Sequence, residues 1–289
     1  MALHDKRVVF IGGGMMASAI IRGVLRENLL TPSQISVADP NTQQGEALIR
    51  DFGVRYTPDN AAAIQHGADV IVLATKPQFF GAVAKDIGGR LADVQVVLSI
   101  MAGVPVAAIA EKLSVQKIVR SMPNTPGAIG KGITAWMATE SVAADGLTMT
   151  AQLLGALGET LRVPEERYLD MATAVSGSGP AYVFLFMEAM IDTAVHMGFS
   201  RADAEKLVLH TVNGSAAYAL ESGQPITTLR HQVTSPGGTT AEALYHMEKH
   251  GLRHAITRGI WAAFQRSILL GGGSPRNPDT STAPHPEED

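Results

Sequence analysis

The chain has 289 residues and a formal net charge of −4, from 23 basic and 27 acidic residues. This length predicts two domains, and the charge gives no reason to expect binding to nucleic acid or to an anionic membrane. The absence of cysteine excludes disulfides and thiolate sites and fits a cytoplasmic protein. Charges and glycines interrupt every apolar run before it reaches about 18 residues, so we expect no transmembrane helix. Small-molecule chemistry is the favoured class of function.

A short apolar run at residues 8–11 leads into three glycines and then into a segment with apolar residues on one helical face. This pattern predicts a strand, a tight turn and a helix, with Gly12, Gly14 and Ala17 at the small positions of a dinucleotide-binding fingerprint. Backbone N–H groups at the helix start would bind a pyrophosphate. Two weaker interpretations are a secretory signal, because basic residues precede the apolar run, and a glycine-rich turn without a nucleotide.

Strand-like runs and helix-like segments then alternate, which predicts an α/β fold with a parallel sheet of the Rossmann type. The loops that follow the strands should converge on one crevice, where open α/β sheets bind their ligands. The predicted strands are residues 35–38, 70–74, 96–100 and 118–119, with helices at 41–51 and 78–88 and further strands at 131–138 and 158–163.

From about residue 165 the strand signals stop, and helices are predicted at 179–197, 201–222, 240–250 and 252–270. We therefore expect a Rossmann-like domain over residues 1–164, an all-helical domain over 165–271 and a disordered tail over 272–289. The first long helix is apolar on nearly every side, so we expect it to be buried against a second subunit. Glu188 and Asp192 on that helix are expected to pair across the interface.

The segment from Val233 to Glu242 joins two predicted helices through Ser-Pro-Gly-Gly-Thr-Thr. One interpretation is purely structural, with Thr239 as the N-cap and Glu242 completing a capping box. The other is a binding site, because a helix start after Pro-Gly-Gly exposes unpaired N–H groups that suit a carboxylate. Thr240 would add a hydroxyl beside that site, able to donate to a ring nitrogen.

Ser-Pro-Gly-Gly-Thr-Thr, together with Met-Pro-Asn-Thr-Pro at 122–126, Val-Ser-Gly-Ser-Gly-Pro-Ala-Tyr at 175–182 and Ala-Thr-Lys-Pro at 74–77, resembles the pyrroline-5-carboxylate reductase family. The resemblance covers residues 7–270 and implies that NAD(P)H delivers hydride to the C=N carbon of 1-pyrroline-5-carboxylate, giving L-proline in the last step of proline biosynthesis. It implies a homodimer formed through the helical domain, from which a decamer could be built. NADPH is the expected cofactor, with NADH as the alternative.

The resemblance also assigns residues to sites. The backbone of Gly237, Gly238 and Thr239 would hold the substrate carboxylate, and Thr240 would be the catalytic residue that hydrogen-bonds the ring nitrogen; the full expected substrate site is Ser176, Gly177, Ser178, Ser235, Gly237, Gly238, Thr239 and Thr240. The expected cofactor site is Gly12, Gly14, Met15, Met16, Ala17, Asp39, Asn60, Ala74, Lys76, Pro77, Ala102, Gly103 and Asn124.

Some positions depart from the expected pattern or allow two interpretations. Met15 replaces the usual asparagine after the glycines, and His231 replaces an acid of the family. Asp39 either accepts from the ribose hydroxyls, which would disfavour a 2′-phosphate, or belongs to an Asp-Pro turn. His246, His250 and His254 favour a solvated helix face over a metal site.

Three other functions stay open at this point. A β-hydroxyacid dehydrogenase would need a lysine base on the first long helix, and residues 180–198 contain none. A general imine reductase for bulkier rings would not need a carboxylate site. A non-catalytic dinucleotide sensor would need the glycine turn but not the Ser-Pro-Gly-Gly-Thr-Thr loop.

Overall fold

The computed structural model describes residues 3–65, 67–91, 94 and 96–274. The chain divides into two compact units, one formed by Met1–Ser178 with Ala263–Asp289 and the other by Gly179–Ala262. This division lies further along the chain than the sequence-based boundary after residue 164, which follows the last strand. Residues 275–289 of the predicted disordered tail lie outside the described residues.

The first unit contains an eight-stranded sheet in the order β3-β2-β1-β4-β5-β6-β7-β8. Every neighbouring pair is parallel except β6 and β7. Since β1 lies between β2 and β4, the strand order reverses there, and a crevice opens beyond the strand ends. The predicted α/β fold of the Rossmann type is confirmed. The strands are β1 Val8–Ile11, β2 Ile35–Ala38, β3 Arg55–Thr57, β4 Val70–Leu73, β5 Val96–Ser99, β6 Ile118–Met122, β7 Gly132–Ala138 and β8 Gly158–Arg162.

Strand β7, one of the two further strands expected, runs antiparallel to β6, a direction that the sequence did not specify. Only residues 123–131 separate β6 from β7, and they include a 3-10 turn at Thr125–Ile129. A parallel connection needs a crossover of about a dozen residues or more, so this short loop can only return the chain in the opposite direction.

Helices cover both faces of the sheet, because β1 has apolar side chains on both of its sides. Val8 and Phe10 belong to one apolar core with the buried face of α1, whereas Val9 and Ile11 belong to a second core with α4 and α5. The period of two along the strand sends neighbouring side chains to opposite faces. The helices of this unit are α1 Met15–Arg26, α2 Thr42–Phe52, α3 Asn60–Ile64, α4 Phe80–Ile87, α5 Val106–Leu113, α6 Ala144–Gly155 and α7 Arg167–Ala172.

The second unit is helical, as predicted, and its first two helices pack on each other. The Ser200 hydroxyl accepts from the Asp203 N–H at 3.1 Å, which confirms the predicted cap of α9. Gly223 ends that helix in the left-handed conformation with φ 61°. The helices are α8 Gly179–His196, α9 Arg201–Ser222, α10 Ile226–Gln232, α11 Thr239–Lys249 and α12 Leu252–Leu270, whose last turns from Ala263 belong to the first unit.

Helix α8 buries none of its residues within the chain, all of which the structure describes. Phe184 and Leu185 are 61% and 67% exposed. Asp192 makes an ion pair within the chain, since its Oδ1 lies 2.7 Å from Nη2 of Arg201. This carboxylate raises the pKa of Arg201 above its usual value.

Candidate active site

The turn between β1 and α1 depends on Gly12 lying against the end of β4. Gly12 has φ +102°, and a Cβ there would lie 2.8 Å from the carbonyl carbon and oxygen of Ala74. The Gly12 N–H donates to the Ala38 carbonyl at 2.7 Å, and the Ala74 N–H donates to the Ile11 carbonyl at 2.8 Å. A side chain at position 12 would therefore collide with the backbone that follows β4, as expected for the first glycine of the fingerprint.

Gly14, in contrast, faces open space. It is the N-cap of α1 with φ −65° and ψ −173°, and a Cβ there would meet nothing within 4 Å. The first amide that bonds within the helix is that of Ser18, which donates to the Gly14 carbonyl at 2.9 Å. The N–H groups of Met15, Met16 and Ala17 therefore point out of the helix end. This combination of free space, free donors and a positive dipole end fits a pyrophosphate.

Met15 contributes no polar group to this helix start. Its side chain is 68% exposed, and a thioether is only a weak acceptor. A phosphate above α1 would thus be bound through backbone amides alone at this position.

Asp39 is bound to the glycine turn by its side chain. Its Oδ2 accepts from the Gly13 N–H at 2.7 Å, and its Oδ1 accepts from the Asn41 N–H at 2.9 Å. Gln44 on α2 donates from Nε2 to the Gly13 carbonyl at 2.6 Å. Of the two interpretations of Asp39, the turn with Pro40 is therefore present. The fingerprint gave no signal for the contacts of Gly13.

The other expected cofactor residues follow the carboxyl ends of the neighbouring parallel strands. Ala74, Lys76 and Pro77 come after β4, with Lys76 exposed before a 3-10 turn. Ala102 and Gly103 come after β5 and Asn124 after β6. All of these loops therefore lie on the side of the sheet formed by the carboxyl ends of the strands, where the crevice opens.

Three residues of the predicted cofactor site, Asn60, Asn124 and Gly103, also make contacts within the protein. Asn60 at the start of α3 donates from Nδ2 to Oδ2 of Asp86 at 2.8 Å. Asn124 is buried, and its Oδ1 accepts from the Ile133 N–H at 3.0 Å. Gly103 has φ +70°, and a Cβ there would lie 3.1 Å from Cβ of Leu270. Each of these residues thus also shapes a loop at the edge of the sheet.

The Val-Ser-Gly-Ser-Gly segment forms a π-helical turn, Thr173–Gly177, between α7 and α8. A Cβ on Gly177 would lie 2.6 Å from Cε of Met122, at the end of β6. Gly177 therefore lets this turn approach the edge of the sheet where the cofactor loops lie. The Ser176 hydroxyl donates to the Ala172 carbonyl at 2.9 Å, whereas within the described part of the chain the Ser178 hydroxyl has no side-chain hydrogen bond. Ser178 is thus the hydroxyl that stays available.

In the second unit, the Ser-Pro-Gly-Gly stretch forms a tight turn before α11. The Gly238 N–H donates to the Ser235 carbonyl at 3.0 Å, and Gly237 has φ +70°. These values, with proline at the preceding position, are those of a type II turn. The N-cap of α11 is Gly238, with no side-chain cap.

The capping box at Thr239 is therefore wrong. Thr239 is the first helical residue, because the turn hydrogen bond places Gly238 at the N-cap. The bond also occupies the Gly238 amide, so the free donors are the N–H groups of Thr239, Thr240 and Ala241 at the helix start. The half-buried Thr240 has no side-chain hydrogen bond within the described residues.

Comparisons with known proteins identify the family. A family model described as pyrroline-5-carboxylate reductase dimerisation matches residues 166–270, and a model described as NADP oxidoreductase, coenzyme F420-dependent, matches residues 7–103. The pyrroline-5-carboxylate reductase of Synechocystis is 40% identical over 90% of this chain and 97% of its own, and that of Pseudomonas aeruginosa is 39% identical over 93% and 98%. The chain belongs to the pyrroline-5-carboxylate reductase family.

Solved structures of the family agree. That of the reductase from Coxiella burnetii matches with a TM-score of 0.85 at 36% identity, over 92% of this chain and 98% of its own. The Plasmodium falciparum reductase, with NADP bound, matches with a TM-score of 0.84 at 31% identity and the same coverage. The expectation of an NAD(P)H-dependent oxidoreductase with an NADP-binding domain and a dimerisation domain is confirmed.

The exposed apolar surface of α8 lies inside the region that the dimerisation model matches, residues 166–270. By length and composition alone, the helical stretch Arg167–His196 would also suit a membrane span, with a mean hydropathy of 1.3 in its most apolar window and 6% of that window buried.

Sequence reasoning missed a buried charge network in this family member. Arg120 on β6 is 5% exposed, and its Nη1 donates to Oε1 of Glu166 at 2.7 Å. The same Oε1 accepts from the Val106 N–H at 2.7 Å. Asp170 lies 4.0 Å from Nη2 and accepts from the Ser267 hydroxyl at 2.7 Å. The available signal was an arginine directly after the apolar residues of the predicted strand at 118–119.

The three histidines lie at three different places: His246 in α11, His250 at its C-cap and His254 in α12. His246 lies 3.3 Å from Glu242 and stacks on His250, with ring centroids 6.1 Å apart. Among the residues that the structure describes, no group of three or more His, Cys, Asp or Glu side chains could hold a metal ion.

Proposed function

We propose that this protein reduces 1-pyrroline-5-carboxylate to L-proline with NADPH, using the helix start at Thr239 and Thr240 to hold the substrate. The single observation that supports this proposal most is the helix start itself. Its free amides and unpaired hydroxyl occur in a chain whose family reduces this small cyclic imino acid, and the same loop offers no strong acid or base.

The substrate carboxylate is assigned to the first amides of α11. The N–H groups of Thr239 and Thr240 have no helical acceptor, and the positive end of the helix dipole favours an anion there. The Gly238 amide already donates to Ser235, so Gly237 and Gly238 contribute mainly the shape of the turn. Ser235 remains part of the proposed site as the first residue of that turn.

Thr240 is assigned to the ring nitrogen. A hydroxyl both donates and accepts, so it can accept from the protonated imine and steady the ring. The bound NADPH supplies the hydride. Because the iminium carbon is already electrophilic, the main contribution required of the protein is to hold the substrate ring and the nicotinamide in the correct relative orientation.

The dinucleotide is assigned to the loops of the first unit, with the pyrophosphate over Gly14 and the amides of Met15, Met16 and Ala17. The loops after β5 and β6 and the free hydroxyl of Ser178 would border the nicotinamide half. The loop after β2 would receive the 2′-phosphate through the neutral donors of Asn41, Thr42 and Gln43. NADPH is therefore proposed as the preferred coenzyme over NADH.

The proposal includes the assembly and the location. The dimers would assemble further into a decamer. The lack of cysteine fits a cytoplasmic enzyme.

A spectrophotometric assay tests the function. NADPH oxidation should depend on added 1-pyrroline-5-carboxylate and should yield L-proline in equal amount. Piperideine-6-carboxylate and 3-hydroxy acids serve as competing substrates. Higher efficiency with a 3-hydroxy acid or with a bulkier imine would refute the assignment, and coenzyme binding without turnover of any of these would indicate a sensor.

A further inference from the structure

We infer that Asp39 and Gln44 form a clamp on the Gly13 peptide that positions the pyrophosphate-binding turn, and that Asp39 does not select between NADPH and NADH. The inference rests on the proposed placement of the dinucleotide over Gly14. It departs from the usual role of an acid after the second strand, which accepts from the ribose hydroxyls of NAD and disfavours a 2′-phosphate.

Both oxygens of the Asp39 carboxylate accept a hydrogen bond from the backbone. Oδ2 accepts from Gly13 N–H at 2.7 Å and Oδ1 from Asn41 N–H at 2.9 Å, both at the short lengths typical of charge-assisted bonds. Its own backbone is fixed as well, since the Asp39 carbonyl accepts from the Tyr56 hydroxyl at 2.9 Å and its N–H donates to Thr57 at 3.2 Å. Asp39 cannot turn towards a ribose without releasing the glycine turn.

The opposite side of the Gly13 peptide is held from α2. The Gly13 carbonyl accepts from Nε2 of Gln44 at 2.6 Å and from the Ser18 hydroxyl at 3.3 Å. A Cβ on Gly13 would lie 2.6 Å from Cδ1 of Leu48, so a larger residue there would displace the Leu48 side chain. Side chains from two elements therefore fix both polar groups of one residue.

The direction of the Gly13 carbonyl sets the direction of the next amide, because the peptide unit is planar. That amide belongs to Gly14, where the open space begins. The clamp therefore aims the donors that would meet a pyrophosphate, and it does so with any dinucleotide.

Coenzyme choice is then left to the neutral groups at the start of α2. Oδ1 of Asn41 caps that helix by accepting from Gln43 and Gln44 N–H at 3.1 and 3.3 Å, which turns its Nδ2 away from the helix.

Asp39→Asn tests the inference because it keeps the shape but places an NH₂ group against one of the two backbone donors. We expect the Kd of both NADP⁺ and NAD⁺ to rise by the same factor, about tenfold. Titration calorimetry of the full chain gives both constants. A change in the NADP⁺ to NAD⁺ ratio of tenfold or more, in favour of NADP⁺, would overturn the inference.

Gln44→Met provides the second variant, since it removes the donor to Gly13 from a different element and leaves every carboxylate in place. It should raise both constants by equal factors, and unchanged constants would contradict the clamp. Glu46→Gln is the matched control: it makes the same charge change as Asp39→Asn at an exposed position of α2 and should alter neither constant.

If the wild type binds neither dinucleotide, the proposed function fails. If it binds both and only the ratio of the two constants shifts in Asp39→Asn, the inference alone fails.

Discussion

Gly14→Ala should weaken dinucleotide binding while leaving the stability of the protein nearly unchanged. The new Cβ would meet no heavy atom within 4 Å, and φ −65° with ψ −173° is accessible to alanine. Alanine is a poorer N-cap than glycine by about 0.5–1 kcal/mol. The lower entropy of the unfolded chain offsets about 0.4–1 kcal/mol of this, so the free energy of unfolding should change by less than about 1 kcal/mol.

The expected effect on binding is much larger. The methyl group would occupy the space in front of the free amides of α1, and a pyrophosphate oxygen could then no longer reach them. Each hydrogen bond between an amide and a charged oxygen contributes about 1.5–3 kcal/mol. Loss of two such bonds, at the lower end of that range, corresponds to a rise in the Kd of NADP⁺ of roughly a hundredfold.

Calorimetric titration with NADP⁺ measures the binding, and urea unfolding of the same sample measures the stability. Gly12→Ala provides the contrast, because its Cβ would lie 2.8 Å from the Ala74 carbonyl and 2.9 Å from the Thr75 nitrogen at φ +102°. The backbone strain alone should lower its stability by about 1–3 kcal/mol, so it should lose both properties. A Gly14→Ala protein that binds NADP⁺ within about threefold of the wild type would refute the placement of the pyrophosphate.

Three further predictions concern other parts of the molecule. Thr240→Ala should lower kcat with 1-pyrroline-5-carboxylate by about tenfold to a hundredfold, the equivalent of one hydrogen bond to a charged group, without changing the Kd of NADPH. Thr240→Ser should retain most activity, and equal losses in both variants would contradict a role of the hydroxyl. Arg120→Met leaves Glu166 and Asp170 without their cation and should lower the free energy of unfolding by about 3–5 kcal/mol, and a loss below about 1 kcal/mol in urea titration would show that the network is not stabilising. Phe184→Glu on the exposed face of α8 should convert the homodimer into a monomer in sedimentation equilibrium at micromolar concentration, and a dimer that persists would place the interface elsewhere.

The elements that the sequence predicted correctly are those with a clear apolar pattern. Strand β1 is a short continuous apolar run buried on both faces, and helix α1 has apolar residues on one face that are the buried ones, among them Ile20 and Val24. The long helices of the second unit were also predicted, since glycine and serine mark their ends.

Other features could not be predicted because they depend on neighbours distant in sequence. Strand β3 has three residues and none of them is buried, so it shows no periodic apolar signal. The N-cap of α11 was predicted at Thr239 from residue preference, whereas the turn at Gly237 and its hydrogen bond place Gly238 there. The direction of β7 was predictable in principle, but the sequence-based strand ended at Val119, which left a loop that looked longer than it is.

The conformation of the glycine turn likewise depends on residues outside the motif as well as on the motif itself. The fingerprint identifies Gly12 and Gly14, yet Gly13, which the motif leaves free, is also held in place: Asp39 and Gln44 bind its backbone N–H and carbonyl, and the Leu48 side chain lies where its Cβ would be. These contacts exist within the protein alone, so the turn holds its shape before a coenzyme arrives. A ligand that meets a preorganised turn loses less of its binding free energy to ordering the protein. For this reason we expect a change at Asp39 to act on every dinucleotide alike.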